Sequence, residues 1–216
     1  MDNNSYEILS FTEMEEQKFI SEHIEALEAS VQFYSNKNKP ERELWVVRSF
    51  LDNLRIPYSH GELIPVNNDP PDVLYKDAKF EIKEILDKGR RRHDEYKKEL
   101  EKSRCANSTG ELFKYFWPRE LSVSEILYLC LNEIKELRSK YSPSTRTNTD
   151  LLFYVNLQHV MEVVEEPFPN TEEMAKEGWR SVSFLKGHRS CCLFANQNAP
   201  DFLHSAVGVI SHRYEE

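Results

Sequence analysis

Two carboxylates and an amine interrupt an otherwise apolar, strand-like stretch, PPDVLYKDAKFEIKEILDKGRRR, which runs from Pro70 to Arg92. Asp72, Glu81 and Lys83 are the residues in it that could do chemistry. If Lys76 and Asp77 form a two-residue turn, Tyr75 pairs with Ala78 and Asp72 falls directly opposite Glu81. Side chains two apart on a strand share a face, so Lys83 joins Glu81 while Phe80 and Ile82 go to the other side. A three-residue turn, Lys76-Asp77-Ala78, would instead set Asp72 against Ile82 and turn it away. Directly opposed Cβ atoms lie about 4.5–5.5 Å apart, close enough for two carboxylates to share one small cation. Without a cation the like charges repel each other. Magnesium prefers carboxylate and water oxygens and leaves part of its shell open to phosphate, which suits such a pair. An ammonium beside it can hold a phosphate oxygen or an attacking water whose pKa the metal lowers. The chemistry indicated is metal-assisted phosphodiester hydrolysis.

These residues need elements to position them. From about Met14 to Tyr34, apolar residues recur at three- and four-residue steps, which predicts an amphipathic helix. A second helix is expected after Pro40, with Leu44, Val47, Leu51 and Leu54 on one stripe and Glu43 flanking it in line with Val47 and Phe50. IPYSHGELIPV reads as a turn and a short strand, followed by the loop NNDPP and then the hairpin. A helix is expected from roughly Asp87 to Ser103, and another within LSVSEILYLCLNEIKELRSKY. DLLFYVNLQHVMEVV reads as a buried strand from Leu151 to Val155 that reaches on to Gln158. RSVSFLKGHRSCCLFA reads as a hairpin around Lys186-Gly187, and PDFLHSAVGVISHRY as a closing helix. The expected fold class is α/β or α+β, a mixed sheet flanked by helices. The segments expected are an N-terminal acidic helix (1–39), a core (40–160), and a C-terminal hairpin and helix (161–216) that complete the same domain.

The pattern Pro71-Asp72 followed by Glu81-Ile82-Lys83 on a neighbouring strand resembles the PD-(D/E)xK nuclease superfamily, which includes restriction and repair endonucleases. The likeness implies a core of helix, three antiparallel strands, helix and strand. It implies that Asp72, Glu81 and the backbone carbonyl of Ile82 bind magnesium or manganese, that Lys83 serves the nucleophile, and that Glu43 on the first core helix assists. The whole chain also resembles a small bacterial family that carries a provisional endonuclease label. The expected partner is nucleic acid, DNA before RNA, with a protein partner or a second copy of the chain left open. The competing expectation is a catalytically silent module of the same fold that binds nucleic acid or another protein.

The chain's net charge of −9 argues against a nucleic-acid partner until its distribution is considered. Residues 1–30 hold eight acidic residues and one lysine, whereas residues 76–104 hold eleven lysines and arginines against eight acidic residues. Lys88, Arg90, Arg91 and Arg92 are therefore the candidate phosphate-backbone contacts. A solvated, ion-paired helix is the plainer account of the same run. The acidic N-terminus lacks the basic and apolar regions of a secretory signal, and no apolar run approaches a membrane span, so a cytoplasmic location is expected. Cys105, Cys130, Cys191 and Cys192 read as reduced thiols, since adjacent cysteines on a strand point to opposite faces. His60 and His93 read as surface groups, although either could approach phosphate, and Glu62 reads equally as a member of the site from the first strand or as a solvated strand end. Tyr115, Phe116 and Trp117 read as a core anchor, although aromatic side chains can also stack bases.

Overall fold

In the computed structural model, which describes residues 12–67, 70–164 and 168–213, contacts divide the chain into two compact units. One joins the N-terminal segment through Asn36 to Arg91–Phe116, and the other joins Lys37–Arg90 to Trp117 onward. Residues 1–11, which carry part of the acidic segment, lie outside the described residues, as do Asn68 and Asp69 of the NNDPP loop and Tyr214 of the closing segment.

The smaller unit is built from α1 (Glu13–Phe33), α3 (Arg92–Arg104) and a 3₁₀ turn at Thr109–Glu111. Thr12 and Glu15 form a capping box that satisfies exposed amides at the start of α1. Ile20, Leu27, Leu100 and Leu112 supply buried apolar residues. Polar ties add to them: Glu16 accepts from both the amide and the hydroxyl of Thr109 at 2.9 Å, and Arg104 reaches Glu28 at 2.6 Å.

In the larger unit, α2 (Lys39–Asn53) precedes β1 (Leu63–Pro65), β2 (Val73–Tyr75) and β3 (Ala78–Leu86). Then come β4 (Arg119–Ser122), α4 (Val123–Leu137), α5 (Pro143–Arg146), β5 (Asp150–Asn156) and β6 (Val160–Val164). The remainder is α6 (Glu172–Ala175), β7 (Ser181–Lys186), β8 (Arg189–Ala195), α7 (Asp201–Ser205) and β9 (Ser211–His212). Seven strands form one mixed sheet in the order β1-β2-β3-β5-β7-β8-β9. The β1-β2-β3 run is antiparallel, β3, β5 and β7 are parallel, and β7-β8-β9 is antiparallel again. The mixed α/β class expected from the sequence is the one observed.

Strand β5 shows why the sheet has helices on both sides. Between Asp150 and Asn156 it is an unbroken run of apolar and aromatic residues, and alternation divides them between two cores. Leu151, Phe153 and Val155 join α4 in one core, while Leu152 joins α2 in the other. Val47, Phe50 and Leu51 of α2 are fully buried there, each contributing about 1.5–3 kcal/mol. The start of β5 is pinned by Asp150, which is wholly buried. Its carboxylate accepts from both Arg180 nitrogens, the Lys79 amide and the Ser181 hydroxyl. Arg180 also donates to the carbonyl of Asp77 in the hairpin turn. This network couples the hairpin turn to β5, the strand that pairs with Glu81 through Leu151.

Several elements differ from the sequence reading. The helix expected from Asp87 starts at Arg92, because β3 runs on to Leu86 and a turn through Gly89, at φ 79°, follows it. Strand β4 was not anticipated, nor was its pairing with β6 in a separate two-stranded sheet. The C-terminal hairpin turns at Gly187-His188, one residue later than expected, since Lys186 pairs with Arg189. The closing helix is only Asp201–Ser205. Gly208, at φ 74°, redirects the chain into β9. Phe116 is 45% exposed, and Tyr115 and Trp117 are 87% and 79% exposed, so this stretch is not the core anchor expected.

Candidate functional site

The hairpin turn decides the site. Tyr75 pairs with Ala78 and Val73 with Phe80, so the loop has two residues; the ladder ends there, and Asp72 follows, near enough to Glu81 for its charge to push that carboxyl up. Lys76 takes the positive φ of 52° that such a tight turn demands of a non-glycine residue. Asp72 is held on both sides. Its amide donates to the carbonyl of Phe80 at 2.9 Å, and its Oδ2 accepts the amide of Ile82 at 2.8 Å.

Burial makes the cluster electrostatically demanding. Asp72 is 2% exposed, Glu81 0% and Glu43 9%. Glu43 comes from the first turns of α2, as expected, and a lysine that the sequence reading missed joins it to the hairpin. Lys39, four residues earlier on the same helix, reaches Glu43 Oε1 at 2.9 Å and Asp72 Oδ1 at 3.1 Å. Lys83 pairs with Glu81 Oε1. The same oxygen accepts the hydroxyl of Tyr141 at 2.5 Å, a second residue that sequence reasoning did not find. Glu81 Oε2, by contrast, is buried and has no hydrogen-bond partner.

Three carboxylates thus face two ammonium groups. Burial pushes the Glu43 carboxyl up to about 7; Lys39 pulls it down and the neighbouring charge of Asp72 pushes it further up. Burial and then Asp72 also raise Glu81, against the pull of Lys83 and Tyr141. Burial alone would lower Lys83, but its bonds to Glu81 and Tyr141 outweigh that and raise it. Both carboxyls are raised chiefly because burial disfavours their charged form, with the Asp72 charge adding to it. The orphaned Glu81 oxygen marks where a cation's charge would be best satisfied.

Among the described residues, no three His, Cys, Asp or Glu side chains form a ready-made metal cage. Magnesium does not require one, since it is commonly held by one or two carboxylates together with waters and substrate phosphates. Asp72 and Glu81 fit that demand, with the Ile82 carbonyl as the third protein ligand implied by the likeness stated above.

The basic run is distributed differently from the expectation. Five residue steps along β3 carry the chain from Glu81 to Leu86 at its far end, a span of about 17 Å, so Lys88 and Arg90 do not adjoin the carboxylates. Arg90 donates to the carbonyl of Asn156 at 2.8 Å. Arg92 is 8% exposed, with its guanidinium 3.6 Å from the ring centroid of Tyr34. Lys88 and Arg91 are exposed. Glu84 lies on the opposite face from Glu81 and accepts from Asn156. Glu62 closes a capping box with Ser59. Cys130, Cys191 and Cys192 are free and buried, and Cys105 is free and exposed.

Comparison with known proteins adds to this geometry. No curated protein matches the chain. A solved structure from Pseudomonas aeruginosa strain PAO1, a protein of unknown function described as belonging to the monooxygenase superfamily, is similar at 26% identity and a TM-score of 0.62. The likeness covers 90% of this chain and 94% of that one. No helix among the described residues is long and apolar enough to cross a membrane. A family model spans residues 15–214, nearly the whole sequence. The chain belongs to the family described as "Putative endonuclease, protein of unknown function (DUF1780)".

Proposed function

We propose that this protein is a magnesium-dependent endonuclease of the PD-(D/E)xK kind that hydrolyses phosphodiester bonds in DNA. The observation that carries the reading is the two-residue hairpin turn, beside which the Asp72 charge acts on the Glu81 carboxyl and Lys83 pairs with Glu81. The family's endonuclease description agrees with it, as does the order of α2, three antiparallel strands and then β5 parallel to β3, with α3, β4, α4 and α5 intervening.

Asp72, Glu81 and the Ile82 carbonyl would hold the cation, which when bound supplies charge stabilisation to the phosphate and acidifies an attacking water. Each residue then has its own task. The Ile82 amide fixes one Asp72 oxygen and leaves the other on the Lys39 side, where that flexible ammonium can yield to a stronger charge. Lys83, half-buried and held protonated, places a point charge beside Glu81 for a phosphate oxygen or the incoming water. Glu43, whose carboxyl sits near neutrality, can accept or return a proton at the same place.

A second reading, a silent module that binds nucleic acid or protein, is favoured by one observation: Lys39 already spans Glu43 and Asp72, as in a cluster neutralised from within. Cleavage of plasmid, single-stranded DNA and RNA, assayed with magnesium, with manganese and with chelator, separates the two. Metal-dependent cleavage that Asp72→Ala abolishes supports the nuclease. Absence of both cleavage and calorimetric metal binding in the parent protein supports the silent module.

A further inference from the structure

The nuclease reading leaves Tyr141 without a task, although it has one of the most constrained settings in the larger unit. It lies just beyond α4, where its amide donates to the carbonyl of Leu137 at 3.2 Å. Its ring meets that of Trp179 edge-on, with centroids 5.3 Å apart and planes at 63°, and Trp179 is 1% exposed. The ring is therefore fixed by packing before its hydroxyl is considered. That hydroxyl donates to Glu81 Oε1 at 2.5 Å, the oxygen that also receives Lys83. The Lys83 ammonium stands 5.5 Å from the centre of the Tyr141 ring.

A carboxylate oxygen has two lone-pair directions in its plane. Tyr141 and Lys83 use both on Oε1, while Oε2 is buried and receives none. Two donors on one oxygen resist rotation of the carboxylate, and the second oxygen stays pointed in one direction. A lysine alone would not give this, because its long stem can follow a rotating partner. A phenol on a packed ring cannot.

We propose that Tyr141 is the positioning residue of the site: it locks Glu81 by one carboxylate oxygen so that the other remains presented to a divalent cation. The inference rests on the metal-dependent reading above. It assigns Tyr141 no contact with substrate, and its effect passes through Glu81. Outer-shell hydrogen bonds of this type typically change metal affinity about 10–100-fold.

The test uses the full chain and its Tyr141→Phe variant, which keeps the ring and its packing on Trp179. Manganese affinity is measured by calorimetry, thermal stability without metal by scanning calorimetry, and the bonded hydroxyl proton by proton NMR of the metal-free protein. The expected result is a slowly exchanging phenolic proton in the parent, absent from Tyr141→Phe and from Glu81→Ala. Manganese affinity should fall at least about 10-fold in Tyr141→Phe, with a melting temperature close to the parent's. Equal manganese affinity in the two proteins, with the parent binding well, overturns the positioning role and leaves the nuclease reading standing. A parent that binds no manganese overturns both. Should the melting temperature of Tyr141→Phe fall substantially, its affinity is measured well below the transition. Parent-like affinity there likewise overturns the proposal.

Discussion

Replacing Glu43 with glutamine should stabilise the metal-free protein, and only above a definable pH. The Glu43 carboxyl moves from 4.5 in the unfolded chain to about 7 in the fold, because burial and the charge of Asp72 both oppose its ionisation. Between those values the folded state holds a proton that the unfolded state has released. The unfolded state thus binds fewer protons, and stability falls as pH rises through this window. Each pKa unit corresponds to about 1.4 kcal/mol, so a displacement of roughly 2.5 units sets a ceiling of about 3.5 kcal/mol. Lys39 is 53% exposed, which lets water screen part of the effect, and about 2–3 kcal/mol is the expected gain for Glu43→Gln at pH 8. At pH 4 the parent carboxyl is neutral in both states and the two proteins should be nearly equal. For a chain of this length, 2–3 kcal/mol corresponds to roughly 5–10 °C in melting temperature. Urea unfolding with chelator at several pH values, comparing parent and variant, measures the difference directly. A variant no more stable than the parent at pH 8, or a gain that does not change with pH, would refute the electrostatic account. Adding magnesium should erode the variant's advantage, because cation binding stabilises the parent by mass action.

Other outcomes follow from the same geometry. Arg180→Ala should destabilise the larger unit by about 3–5 kcal/mol in urea unfolding, since it leaves the buried Asp150 charge without its partner; Asp150→Asn should cost less than that. Asp72→Ala should lower cleavage by about 10²–10³-fold in a plasmid assay, the equivalent of a few kcal/mol of lost transition-state stabilisation, while DNA binding in a filter or anisotropy assay persists or tightens. Lys88→Ala combined with Arg91→Ala should reduce the salt dependence of DNA binding by up to about two contacts' worth of slope, and an unchanged slope would place the backbone-binding surface elsewhere. Arg92→Ala should instead lower thermal stability by about 1–2 kcal/mol, through loss of its stacking on Tyr34.

What could be read from the sequence was local. A two-residue turn and the period of two in strands suffice to place Asp72 beside the strand that carries Glu81 and Lys83 on one face. The apolar stripe of α2 likewise suffices to put Glu43 at its edge, because these relations involve neighbours in the chain and standard backbone geometry. The unbroken apolar run at Leu151–Val155 announced a strand covered on both faces for the same reason. Only the tertiary structure could bring in Lys39, which sits four residues from Glu43 yet is defined by its reach to Asp72, or Tyr141, which is 60 residues from its partner Glu81. Asp150 and Arg180 have no sequence signal either, since a buried ion pair looks like two solvated charges until both partners are placed. The arginine run shows the limit most plainly. Composition marked it as a basic surface, but packing decides how a guanidinium is used: Arg92 is buried on an aromatic ring and Arg90 is bound to a backbone carbonyl, while Lys88 and Arg91 remain exposed to solvent.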